Sequence, residues 1–175
     1  MWFQKRPILV LTIVLMGFSI TASASQPRKG VRACLTSDLV GTWEMKNISA
    51  KIKINPDDSF GWPYQRFVFD RRGDFKQMAS TTPIEGDKPL IEKFNRAASI
   101  SGFSLDERGI LSITKLESRE PERCMCGYAT KEAPPEVLAK LPDSKKSQVP
   151  HQGDIVLTYM TRGGQPVVIK CLRRI

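Results

Sequence analysis

Beyond its first two dozen residues this 175-residue chain has no long apolar run. Charged side chains interrupt every later hydrophobic stretch within about ten residues, half of the ~20 that a membrane-spanning helix needs. The rest of the chain therefore reads as water-soluble. Histidine is nearly missing, with His151 the single copy, and no third group stands ready to orient a Cys/His nucleophilic pair. The acidic pairs Asp57-Asp58 and Asp106-Glu107 fall in turn sequences, where carboxylates are common for conformational reasons. These absences argue against an enzyme, and no cofactor is expected. The dense basic stripe interleaved with aromatics that grips a phosphate backbone is absent too. The 27 Lys and Arg residues outnumber 18 acids, for a formal charge of +9, yet from Lys29 to Arg174 they come in ones and twos. Nucleic acid is thereby excluded as a partner, leaving a solvated basic surface open to peripheral contact with an anionic envelope surface.

What is present begins with a leader over residues 1–24. Lys5 and Arg6 precede the apolar run Ile8 to Met16, and Ala22-Ser23-Ala24 supplies small residues for cleavage, the pattern of a secretory signal peptide. No cysteine follows the run, so a lipid anchor is not expected. Cleavage leaves about 150 residues, one domain with room for a hydrophobic core. It also removes two basic residues from the net charge. Ser25 to Arg32 is polar and basic without a strand or helix period, and residues 25–37 read as a flexible mature N-terminus, which leaves 38–175 for the domain. Export, to the periplasm or beyond, is the expected localisation.

From Val40 onward the pattern is one of short strands and corners. Asp70-Arg71-Arg72-Gly73 and Asp106-Glu107-Arg108-Gly109 share a design, an Asp that caps the turn and a Gly three residues later that takes positive φ. A third hairpin turns through Thr161-Arg162-Gly163-Gly164. Eight strands are predicted, at 40–46, 51–55, 65–70, 73–79, 109–117, 122–130, 153–161 and 166–174. Helical spacing of Leu90, Ile91, Phe94 and Ala98 predicts a short helix at 88–98, and the Pro-rich stretch 133–150 holds a further turn or two. Such an all-β sequence, with one or two helical insertions, forms an antiparallel barrel or sandwich.

Gly41-Thr42-Trp43 on the first strand, followed by an up-and-down meander and closed by Arg173-Arg174, resembles the lipocalin and wider calycin group. The resemblance implies an antiparallel eight-stranded up-and-down barrel of a small exported bacterial protein, with Trp43 plugging one end and a C-terminal Arg packed across the indole. Alternation along the last strand places Val167, Ile169, Cys171 and Arg173 on one face and favours Arg173 for that role. The group's Thr-Asp-Tyr motif is absent, and the Pro-rich insertion stands in its place.

All four cysteines follow the leader, and an even count in an exported chain implies disulfides. In a closed barrel the start of the first strand lies beside the end of the last, so Cys34–Cys171 is the preferred bridge. Cys124-Met125-Cys126 would then remain, both thiols on one face, either as a local disulfide or as soft ligands for Cu(I) or, with His151, Zn(II); one or both bridging instead to Cys34 or Cys171 is the other alternative. Trp62, Tyr64, Phe67 and Phe94 are the aromatic candidates for a pocket rim or partner surface. The leading expectation is an exported lipocalin-like binding protein with a small apolar ligand in the barrel mouth. The rival is a protein-interaction module, such as an inhibitor of a secreted hydrolase, and metal handling through Cys124 and Cys126 is the third. A carrier requires an apolar cavity, whereas an interaction module has a filled barrel.

Overall fold

A computed structural model describes residues 30–116, 120–146 and 149–175, so the leader and residues 25–29 lie outside the described residues. Nine strands form one antiparallel sheet: β1 Val31–Ala33, β2 Gly41–Ala50, β3 Tyr64–Phe69, β4 Asp74–Ser80, β5 Ser101–Leu105, β6 Ile110–Lys115, β7 Glu122–Ala129, β8 Ile155–Met160 and β9 Pro166–Arg174. Strands β2 to β9 run up and down around a closed eight-stranded barrel, sealed by the β2–β9 pairing. Strand β1 lies outside that ring and pairs with the end of β7.

The corners form for the reasons their sequences suggest. Asp70 Oδ1 accepts from Arg72 N at 2.7 Å, and Asp106 Oδ1 accepts from Arg108 N at 3.0 Å and Ile110 N at 2.8 Å. The glycines that follow have φ of +89° at Gly73 and +77° at Gly109. A short helix α1, Thr36–Leu39, precedes β2, and α2, Lys88–Arg96, is capped by Asp87 Oδ1 accepting from Leu90 N. Helix α2 buries Phe94 with Met78 and Ile84 against the outer face of β3 and β4. Two short helices, α3 Pro135–Ala139 and α4 Asp143–Lys146, lie in the Pro-rich insertion between β7 and β8.

Three expectations need correction. No strand forms at 51–55. Strand β2 instead runs on past a bulge between Met45 and Asn47 to pair Ala50 with Val168, and residues 51–63 become a loop with a 3-10 turn at Ser59–Gly61. The eighth barrel strand is β5, whose Ser-Gly-Phe-Ser-Leu sequence has low strand propensity and is held by its ladder to β6. Residues 31–37 are not a featureless arm, since they contain β1 and the start of α1.

Trp43 is wholly buried at one end of the barrel, its Nε1 donating to Leu39 O at 2.7 Å. Arg174, not Arg173, lies over the indole at 4.7 Å, and its Nη2 donates to Asp38 O at 2.8 Å. The ladder explains the change: Trp43 pairs with Arg174, and directly paired antiparallel residues share a face. Gly41, at the head of β2 beside the Arg174 guanidinium, has φ +141°, a backbone conformation that side-chain-bearing residues rarely adopt. Replacing Trp43 by Ala should cost roughly 3–5 kcal/mol in a urea unfolding titration, since it empties the largest buried site in the barrel.

Candidate functional site

The barrel interior is occupied by its own side chains. From the Trp43 end it holds Leu39, Phe69, Phe75, Leu111 and Leu172, with Phe69 stacked edge-on against Phe103 at 5.1 Å. Toward the opposite end the lining turns polar. Lys170, fully buried, points inward between Val168 and Leu172, and its Nζ donates to Gln65 Oε1 at 3.0 Å. The same nitrogen sits 3.6 Å from the Phe60 ring centroid and 5.5 Å from that of Tyr159. Among the described residues it forms no ion pair. Burial pulls its pKa down to about 8, against a smaller upward pull from Glu122. Burial likewise raises Tyr159 and pushes the neighbouring Cys124 thiol up to about 12.

Gln65 joins this cluster to the loop above it. Its Nε2 donates to Ser59 O (3.3 Å), Phe60 O (2.9 Å) and Trp62 O (2.8 Å), while Oε1 accepts from Lys170 and from Gln77 Nε2. The amide orientation follows, because three carbonyls face one end and an ammonium the other. The loop 51–63 is thereby stitched down, with the Phe60 ring set edge-on to Tyr159 at 4.8 Å.

Among the described residues, the clefts on the outside of the barrel include two. One, of about 460 Å³, is bounded by α1, residues 152–154 and the end of β9, and is lined by Asp38, Tyr128, Asp154, Arg173 and Arg174 among others. Its charges are largely paired: Arg32 forks onto Asp38 at 2.6 and 2.8 Å, and Arg173 onto Asp154 at 3.0 and 2.9 Å. Hydrogen bonding to Arg32 holds the Asp38 carboxyl below its ordinary range. The other, about 530 Å³, lies along the polar face of α2.

A disulfide forms, but not the preferred Cys34–Cys171 pairing. The bridge joins Cys34 to Cys126, across 92 residues, and Cys171 is a buried free thiol. Strand β1 carries Cys34 onto β7, where its N donates to Cys126 O at 3.0 Å, and α1 then separates it from the β9 end. Cys171 faces outward, its Sγ 3.6 Å from Asp154 Oδ2, and burial pushes it up to about 12. The metal set does not assemble: Cys126 is bridged, Cys124 lies inside the barrel, and His151 sits outside with Nδ1 3.1 Å from Glu132 Oε2. Nor do the aromatics form one surface. Phe67 is core, Phe94 packs under α2, and only Trp62 and Tyr64 reach the rim.

Comparison with known protein families, curated proteins and solved structures finds no match. Lys170, Gln65, Phe60 and Asp154 escaped the sequence reading. The one available signal was Lys170 alternating between Val168 and Leu172 on the last strand.

The native protein should have a mass two hydrogens below its fully reduced value. Cys124 and Cys171 should resist a thiol reagent at pH 8 until the chain is unfolded. Replacing Lys170 by Met should raise stability below pH 8, by on the order of 3 kcal/mol, because a buried ammonium without a counter-ion is removed. The unfolded chain binds this proton more tightly, so wild-type stability gains on the variant as pH rises from about 8 toward 10.5. Denaturation midpoints of both proteins across that window check the sign.

Proposed function

We propose that this chain is an exported protein-interaction module built on a lipocalin-like barrel, rather than a carrier of apolar ligands. The observation that carries the reading is the packed interior: core side chains run from Trp43 to Phe60, and the end where a ligand would enter is occupied by the Phe60 loop. A barrel filled in this way offers its outer surface and loops. The leader and the Cys34–Cys126 bridge support export, since such bridges persist in oxidising compartments.

The loops at the Phe60 end supply the contact face. Ile52, Tyr64, Ile100 and Leu116 are 52%, 38%, 63% and 82% exposed, and each belongs to a connection or strand end on that rim. Single exposed apolar residues are ordinary on a soluble domain, but four around one rim suit a docking surface of the kind that small inhibitors of secreted hydrolases present.

The neutral fluorophore N-phenyl-1-naphthylamine should show no saturable uptake by the purified mature protein. A photo-crosslinking residue at Leu116 should give a discrete adduct in the exported fraction, lost when Ile52→Asp is added. Saturable uptake at one site per chain would return the carrier reading.

A further inference from the structure

The buried ammonium of Lys170 has three donors, and the described structure meets them with one amide oxygen and aromatic faces. A charge so deeply buried ordinarily has a carboxylate partner or is replaced by an apolar residue. Here the nearest acidic influences, Glu122 and Asp58, act on it through space without pairing. Glu122 is instead engaged with Lys115 at 3.0 Å. The Phe60 ring covers the Lys170 nitrogen from a three-residue turn whose backbone carbonyls accept from Gln65 Nε2.

We propose that Lys170, Gln65 and Tyr159 form an internal site for a small monocarboxylate, which enters when the Phe60 ring swings out and pairs its carboxylate with the Lys170 ammonium. The size follows from the volume exchanged. Vacating one phenyl ring makes room for a ligand of about that bulk, an aromatic or short aliphatic acid, and not for a long lipid chain. The charge follows from the surroundings. One ammonium balances one negative charge, and the field of Glu122 disfavours a second. Phe67 and Tyr159, whose rings lie 5.9 and 5.5 Å from Nζ, supply apolar walls for the remainder of the ligand. Gln65 holds both the ammonium and the loop, so a ligand that competes for Lys170 also loosens the stitching of residues 59–62.

This site opens at the same end as the interaction surface but is built from different residues, and its test uses different probes. Benzoate and hexanoate, with benzamide and hexanol as neutral counterparts, are titrated into the disulfide-intact mature protein while Tm is recorded and the carboxylate is followed by NMR with a 13C label. The acids should raise Tm in a saturable way, by roughly 5 °C well above Kd, and the neutral compounds should not. Lys170→Met should bind benzoate roughly 10- to 100-fold more weakly while remaining folded. Phe60→Ala should bind it more tightly, because the place of the ring is already vacant; that comparison decides the matter if Lys170→Met fails to fold. An absent response in the wild type, or an undiminished one in Lys170→Met, overturns the proposal.

Discussion

The contact between Trp43 and Arg174 governs the rest of the molecule, because it is the point where the barrel closes. The indole is sealed beneath the guanidinium and tethered to Leu39 O, and the two residues face each other on the β2–β9 ladder. Once that pair is in register, every second residue of β9 is assigned a side. Leu172, Lys170 and Val168 turn into the barrel, while Arg173 and Cys171 turn out. A shift of one residue would place Arg173 on the indole, expose Leu172 and strip Asp154 of its partner. Arg174 also holds Asp38 O, so the same contact fixes α1 against the barrel.

Two consequences run in opposite directions along β9. Outside, Asp154 is almost fully buried and accepts from Arg173 Nε, Arg173 Nη2 and His151 N, which pins the end of the long insertion to the barrel wall. Inside, the same alternation delivers a lysine to the core, where its charge opposes stability. Its nearest compensation is the Gln65 oxygen, whose own amide reaches the Phe60 loop. A destabilising feature at the centre is thus wired to the loop that covers one end of the barrel. That linkage is the physical reason to look for a role beyond packing.

The bridge has a separate logic. Cys34 follows β1, which pairs with the end of β7 as an extra strand, and its bridge to Cys126 lies in the main core with Leu39 and Trp43. Ala33 packs so near Gly109 that a Cβ at that glycine would come within 2.9 Å of it. The glycine therefore serves both the turn and the docking of the N-terminal strand. With a loop of 92 residues closed, the bridge should contribute roughly 3–5 kcal/mol. The two remaining thiols, buried and raised to about 12, are chemically quiet.

The sequence by itself determined the strand-and-corner character of the domain, because those signals are local: an Asp cap with a Gly three residues on, the helical spacing of Leu90, Ile91 and Phe94 in α2, alternation on β9. It also marked Gly41 and Trp43 as the closing element. Only the tertiary structure decided which residues face which. Parity on β9 depends on the partner strand and on a bulge at Met45/Asn47, and the apolar look of Val167, Ile169 and Cys171 pointed to the outer face. The cysteine partner depended on an outer strand too short to announce itself. The filled interior and the Lys170–Gln65–Phe60 link join residues up to 110 positions apart, and contacts that distant leave no period or spacing along the chain.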